Sequence, residues 1–534
     1  MNPKLYKQYS PDIDFPGIDH IVIGSGIGGL TAAIWLAKAG EKVVVFERHY
    51  NPGGFTHSFK RKNGFQWDVG VHYVGNVGKE QSLRALFDFL TDNKLDWVPI
   101  GDIYDVVQID GDRYEFKTGK EQFRKQLIEY FPNDFKAINN YLRLIDKANK
   151  LGGVFFFEKT FKPILSNSLG WIIRKVYKHY SQKTTLQVLS KLTNNKQLIA
   201  VLCAQCGNYG LTPKYSSFAA HAMIVNHFME GGYYPKGGAE QISIKTIETL
   251  NKHGGIVYVN AEVNEIITEN DKVKGIRIKE KFIACSSIIS DAGVYNTFNH
   301  LLTFEAKRKC KFDLQNIKPS MGHICLYVGL DTSAEELKLP RYSICYFDSD
   351  NFDDSYDQLT LESAPNKIAH LSFPSAKDTE WNSKHPNKAT IQALTVGFYN
   401  WFSKYEKLPW KRRDEEYLSI KKEFECQMLK RLYELFPQIK GHIVVTEVST
   451  PLTTKHFSNY QHGEIYGLEH SPDRFALSFL RPETKIKGLR LVGQDITTVG
   501  VASAMLSGML CATTILKFRV WRLFREMKQT KFVF

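Results

Sequence analysis

Gly24, Gly26 and Gly29 stand at the spacing G-x-G-x-x-G, and Glu47 follows at the end of the next apolar run. The chemistry open to these residues is positional. The first glycine permits a tight turn, the second leaves room for a pyrophosphate to approach the backbone, and the third lets the following helix lie close on the preceding strand. Phosphates then sit on a helix N-terminus, and an acid at the tip of the second strand accepts hydrogen bonds from an adenosine ribose. Ser25, Ile27 and Gly28 complete the turn and Arg48 follows the acid. The spacing alone is weak evidence, because glycine turns occur in many loops.

The elements that must position these residues are present on both sides. Residues 20–23 (HIVI) read as a short strand buried in a parallel sheet. Residues 28–39, rich in Ala and Leu, read as a helix that ends at Gly40, and residues 43–46 (VVVF) as a second strand. Strand, turn, helix, strand and acid agree on a nucleotide-binding βαβ unit. Its ligand stands open between NAD and FAD.

Past the acid come Pro52, Gly53 and Gly54. The run E-R-H-Y-N-P-G-G-F resembles the flavoprotein pattern of the phytoene desaturase and amine oxidase superfamily, in which a second glycine pair follows the ribose acid. In many members an Arg follows those glycines; here it is Phe55. That departure, with D-V-G-V-H-Y at 68–73 and the long block from Tyr209 through Y-Y-P-K-G-G at 233–238, is most similar to the retinol saturase branch, close to carotenoid isomerases.

The resemblance implies an α/β fold with a Rossmann-like FAD-binding domain of the GR2 or amine-oxidase-like kind and a discontinuous α+β substrate domain. The first is expected from 15–78, 235–302 and 482–518, the second from 79–234 and 303–481, with 519–534 as a basic aromatic tail. It implies tightly bound, non-covalent FAD, with NAD(P)H as a candidate reductant. Val263 is placed at the adenine through its backbone. Gly493 and Asp495 fall on the ribityl and phosphate side, and a helix starting near Val501 lies beneath the pyrimidine edge of the flavin. A helix N-terminus, carrying about half a positive charge, suits an anionic reduced flavin.

The chain of 534 residues is long enough for two or three domains, and 43% hydrophobic with 24% charged residues is ordinary for a soluble protein. The start has no apolar core of the secretory kind, and the uncharged stretches 21–37 and 499–516 read as buried elements rather than membrane spans. Eight irregularly spaced cysteines suggest no disulfide framework, and Cys203 and Cys206 lack the further ligands of a zinc site. A reducing cytoplasmic setting is expected.

The net charge of +14 is local: residues 151–200 hold eight bases and one acid and residues 512–534 six and one, which leaves +2 elsewhere. Both segments interleave bases with large apolar residues, a mixture suited to peripheral contact with an anionic membrane. In the tail, Leu516, Val520, Phe524 and Met527 fall on one helix face, and Lys517, Arg519, Arg522, Arg525, Lys528 and Lys531 are then available to lipid heads. The competing reading packs that face on the protein's own body. No nucleic-acid module accompanies the charge.

Between the glycine blocks, residues 81–90, 120–130 and 134–150 read as amphipathic helices, with a hairpin at 106–116 turning on Asp110, Gly111 and Asp112. Residues 323–330, 342–347 and 393–398 read as strands, and 413–436 as a helix. The resemblance implies hydride transfer from reduced flavin to one double bond of a retinoid-like or carotenoid-like polyene, with a protein acid supplying the proton. His72 and Tyr73 are the first candidates for that acid, Tyr209 and Tyr234 the next. Alternatives are desaturation or isomerisation of a carotenoid, amine oxidation, or a non-catalytic lipid carrier like the Rab GDP-dissociation inhibitors. The oligomeric state is not encoded in any motif.

Overall fold

The computed structural model describes residues 5–310, 312–314 and 317–529, so Lys531, Phe532 and Phe534 of the tail lie outside the described residues. At its centre is a six-stranded parallel sheet in the order Lys7–Gln8, Ile256–Val259, Val43–Phe46, His20–Ile23, Ile288–Ser290, Leu489–Leu491. Strands far apart in the chain become neighbours: Ile23 is flanked by Phe46 on one side and Ser290 on the other. Helix Ile27–Lys38 packs beside the sheet and is buried from Ile27 to Ala37.

Helix Gly500–Leu516 crosses that first helix. A Cβ on Gly508 would overlap the Gly28 carbonyl oxygen and come within 2.8 Å of Thr31 Cβ, so the two backbones touch. The run of small residues serves this close crossing. By length and composition the helical stretch Gly500–Lys528 is apolar enough to cross a membrane, and one face of it, with Met505, Leu516, Val520 and Leu523, packs in the nucleotide core.

Three boundaries differ from expectation. The nucleotide part begins before residue 15, because Lys7–Gln8 adds an edge strand. Helix Ser82–Thr91, expected in the substrate part, buries Leu86, Phe87, Phe89 and Leu90 in the nucleotide core with Ile242 and Leu250. Helix Val520–Gln529 joins the same core through Val520 and Leu523, with Phe524 against Trp35 at 5.1 Å between ring centroids. The tail's predicted lipid-facing stripe is therefore an internal contact, and Arg519 is held by Glu41 at 2.6 Å and by the Ala39 carbonyl at 2.8 Å. Apolar area within reach of the chain captured the stripe before any external surface could.

The substrate part is built on a seven-stranded sheet in the order Ile443–Ser449, Gly322–Leu330, Ala389–Gly397, Ile368–Ser372, Ser343–Phe347, Ile103–Ile109, Asp112–Lys117. The early hairpin is thus the edge of this sheet and not an isolated turn among helices; its first strand runs parallel to Ser343–Phe347. Strand alternation divides the faces. Val106, Ile344, Leu371, Ala393 and Leu326 lie on an apolar face. The other carries a polar row in cross-strand register, Asp105 beside Ser343 and Ser372 beside Gln392. Helix Glu415–Leu435 covers the apolar face, and helices Phe135–Glu158, Leu169–Ser181, Lys196–Cys203 and Phe218–Met229 are among the others, with Cys203 and Cys206 buried in a second core.

Candidate active site

Gly24 turns the chain at φ +94°, and Gly26, with no side chain of its own to cap the N–H groups, opens helix Ile27–Lys38. Helix Gly500–Leu516 also starts without a side-chain cap. Uncapped N–H groups at a helix start require an outside acceptor. Glu47 ties the glycine turns together: its Oε2 accepts from the Ser25 N–H and hydroxyl at 2.8 and 2.7 Å, and its Oε1 from the His49 N–H at 2.8 Å. Ser25 Oγ in turn accepts from the Gly53 N–H at 3.0 Å. A Cβ added at Gly54 would lie 3.1 Å from Gly26 Cα, so the second glycine pair is packed against the first.

Val263 is buried near Ala261, whose N–H donates to the Glu47 carbonyl at 2.8 Å, on the side expected for an adenine. Arg48 turns away, to Glu262 at 3.3 Å and the His456 carbonyl at 3.1 Å. Val501 lies in the first turn of the second uncapped helix, and Gly493, at φ +99°, donates its N–H to Ser507 Oγ at 2.7 Å. Asp495 acts as a clamp: its carboxylate accepts the N–H of Val294 and of Leu468, each at 2.9 Å. It also lines a cavity of about 120 Å³ with Tyr460, Glu464 and Gly467. Two uncapped helix starts, glycine walls and an acid at the ribose position fit a dinucleotide.

One residue of this cradle was missed. Asp291 follows strand Ile288–Ser290, and its carboxyl group lies among Gly26, Gly28, Gly29 and Gly493. In the sequence it stands within the run 288–292, which reads as a strand end, and only sheet order sets that strand beside the glycine turn.

The segment Asp68–Tyr73 lies on the polar face of the seven-stranded sheet. Gln392 Nε2 donates to the Asp68 carbonyl at 2.5 Å, Lys377 Nζ to the His72 carbonyl at 3.2 Å, and Tyr73 Oη–H to Asp105 Oδ2 at 2.5 Å. Lys377 is wholly buried and also donates to Ser372 Oγ at 2.7 Å and Ser343 Oγ at 3.0 Å. Burial lowers its ammonium to about 7, against the pull of Asp105 and Asp68. Three histidines gather here. His72 and His370 have ring centroids 5.0 Å apart, and His323 lies close enough to act electrostatically on His72. Each keeps a buried ring nitrogen with no protein partner: His72 Nδ1, His370 Nε2 and His323 Nδ1. Burial holds His370 near 3 and His323 near 4 and His72 well below its ordinary value, so all three rings are neutral at pH 7. Buried polar atoms without partners call for a ligand or water.

Of the four predicted proton donors, only His72 has a free ring nitrogen in this face. Tyr73 is committed to Asp105, and Tyr234 donates to Asp68. Tyr209 pairs with His221 Nδ1 at 3.2 Å deep among the helices, where Tyr141 holds the opposite nitrogen at 2.8 Å. Sequence reading missed Lys377, His370, His323 and Asp105, which lie far from any glycine motif.

Comparison with known proteins bears on this arrangement. Residues 22–90 match the family model described as an NAD(P)-binding Rossmann-like domain. An all-trans-retinol 13,14-reductase of Danio rerio is 34% identical over 93% of this chain and 86% of its own. An inactive all-trans-retinol 13,14-reductase of the same organism is 32% identical over 96% and 88%. Prolycopene isomerase 1 of an Oncidium hybrid cultivar is 26% identical over 92% and 83%. Among solved structures, putrescine oxidase bound to putrescine aligns over 93% of this chain and 99% of its own, with TM-score 0.61 and 15% identity.

Proposed function

The chain belongs to the all-trans-retinol 13,14-reductase family, and from that premise we propose an FAD-dependent oxidoreductase that saturates one C=C bond of a retinoid-like polyene. The observation that carries this reading is the placement of Asp68–Tyr73, following the second glycine pair, across a buried polar face with three unpartnered imidazole nitrogens. The Gly24–Gly29 turn, Glu47, Gly53, Gly54 and the start of helix Gly500–Leu516 would hold the FAD. Bound there, the flavin supplies hydride chemistry. The protein supplies position, dryness and a proton. His72, His323 and His370, neutral, orient a substrate by hydrogen bonding but cannot act as imidazolium acids at pH 7. Lys377 Nζ, shared among the His72 carbonyl and the Ser343 and Ser372 hydroxyls, is the cation of this face whose proton burial loosens to about 7, and we assign it as the reserve from which the reduced carbon is protonated.

The decisive experiment is anaerobic: photoreduced enzyme is mixed with a panel of retinoids and carotenoids and the products are separated. Reoxidation of the flavin with a product two hydrogens heavier supports saturation. A flavin that stays reduced while the polyene changes geometry favours isomerisation, the reading that the prolycopene isomerase similarity supports. Because one relative carries the name inactive, no turnover with any polyene would leave a fold member without the reaction and overturn the proposal.

A peripheral lipid contact belongs to the same reading, since such substrates dissolve in membranes. The surface that supports it is the helical hairpin Pro163–Asn167 and Leu169–Ser181, where Ile164 is 88%, Trp171 54% and Ile172 53% exposed beside Lys162, Lys175 and Lys178. Bases around exposed aromatics suit an anionic interface.

A further inference from the structure

The cradle contains a carboxyl group of its own. Asp291 N–H donates to the Ile23 carbonyl at 2.8 Å, which sets the residue beside the Gly24 turn. Its Oδ1 lies 2.9 Å from where a Cβ on Gly28 would stand and 2.7 Å from that position on Gly493, and its Oδ2 would overlap a Cβ on Gly26. Its Oδ2 lies 3.1 Å from where a Cβ on Gly29 would stand, which seats the carboxyl group at the start of helix Ile27–Lys38. A carboxylate at an uncapped helix start does what a phosphate does: it accepts the orphan N–H bonds and meets the positive end of the dipole.

We propose that Asp291 is an internal stand-in for the dinucleotide's diphosphate, and that cofactor binding requires it to take up a proton. Two anions cannot share one helix start. The charged groups that face Asp291 make the conflict worse, because Glu47 from the end of strand Val43–Phe46 and Asp495 from the turn after Leu489–Leu491 are both acids. Tyr460, on the remaining side, is a buried phenol whose ionisation burial opposes. Burial, with those two acids, already pushes the Asp291 carboxyl group up to about 7, so the proton is available near neutrality. A diphosphate brought alongside raises it further.

The sign follows from linkage. If the complex holds the proton and free protein releases it above pH 7, affinity weakens as pH rises, by roughly tenfold per pH unit in that window. At lower pH both forms are protonated and affinity levels off. Asp291→Asn keeps the shape and removes the charge, so it binds as the protonated form does at every pH.

The inference rests on the FAD reading above and is tested by binding alone. Full-length protein stripped of flavin is titrated with FAD from pH 6 to 9, read by flavin fluorescence. Calorimetry in buffers of different ionisation enthalpy counts protons taken up at pH 8. Expected are a Kd that rises about tenfold per unit above pH 7 with proton uptake approaching one, and for Asp291→Asn a flat profile with tighter binding at pH 9. A flat wild-type profile with no proton uptake overturns the inference and leaves the flavin reading intact. So does an Asp291→Asn protein as pH-sensitive as wild type. Failure of FAD to bind at any pH overturns both. Should Asp291→Asn not fold, the wild-type Kd and proton count decide.

Discussion

At the residue scale the two halves of the candidate site separate in experiment. Gly26→Val places a side chain in the volume of the Asp291 carboxyl group and the cradle, so the folded protein is expected to lose its flavin absorbance; full flavin occupancy would contradict the assignment. His72→Phe removes one of the three free imidazoles and should slow turnover with flavin retained, and unchanged turnover would remove His72 from the mechanism. Lys377 makes a pH prediction. Its ammonium is present below pH 7 and lost above it, so kcat should fall on the alkaline side with an apparent pKa near 7. Lys377→Met should lower kcat by about 10²–10⁴-fold and abolish that limb. A variant with the wild-type pH profile would show that the limb belongs to another group.

At the scale of the element, the C-terminal helix is the clearest case. Leu523 is fully buried, and Phe524 packs against Trp35. Leu523→Ala is expected to cost about 2–5 kcal/mol, the usual range for emptying a packed site of a leucine side chain. Chemical denaturation would read this loss. The same variant should bind vesicles as the parent does, because the helix is a clasp on the nucleotide core. An unchanged denaturation midpoint would mean that the clasp carries no stability. The sequence reading of this helix had the period right, since Leu516, Val520, Phe524 and Met527 do share a face, but the occupant of that face was the chain itself.

For the whole molecule, the exposed hairpin and its bases predict where a bilayer would meet the protein. Flotation on anionic vesicles should be salt-sensitive, and Trp171→Ser combined with Ile172→Asp should abolish it while leaving FAD bound. If the double variant floats as well as wild type, the hairpin is not the contact. The hairpin stands apart from the nucleotide cradle and the polar sheet face in these tests, because vesicle flotation, flavin absorbance and turnover are read separately.

The sequence by itself determined the βαβ unit, because its glycines, helix and acid are local: each acts through neighbours within one turn or one strand, and such short-range geometry is readable from spacing. It also carried the family resemblance and most strand and helix positions. Tertiary structure decided everything that depends on which strands become neighbours. Asp291 reaches the glycine turn because Ile288–Ser290 pairs with His20–Ile23 across the chain. Asp105, His370 and His323 share one buried face because strand alternation and the pairings of Ile103–Ile109, Ser343–Phe347, Ile368–Ser372, Ala389–Gly397 and Gly322–Leu330 put them there, and Lys377 reaches it from helix Pro374–Lys377. Their polarity gave no periodic signal, since a buried polar row is distinguished from a solvated one only by what covers it. The tail's partner was hidden for the same reason: amphipathic period fixes a face, whereas the competition among available apolar surfaces, settled only on folding, fixes what that face touches.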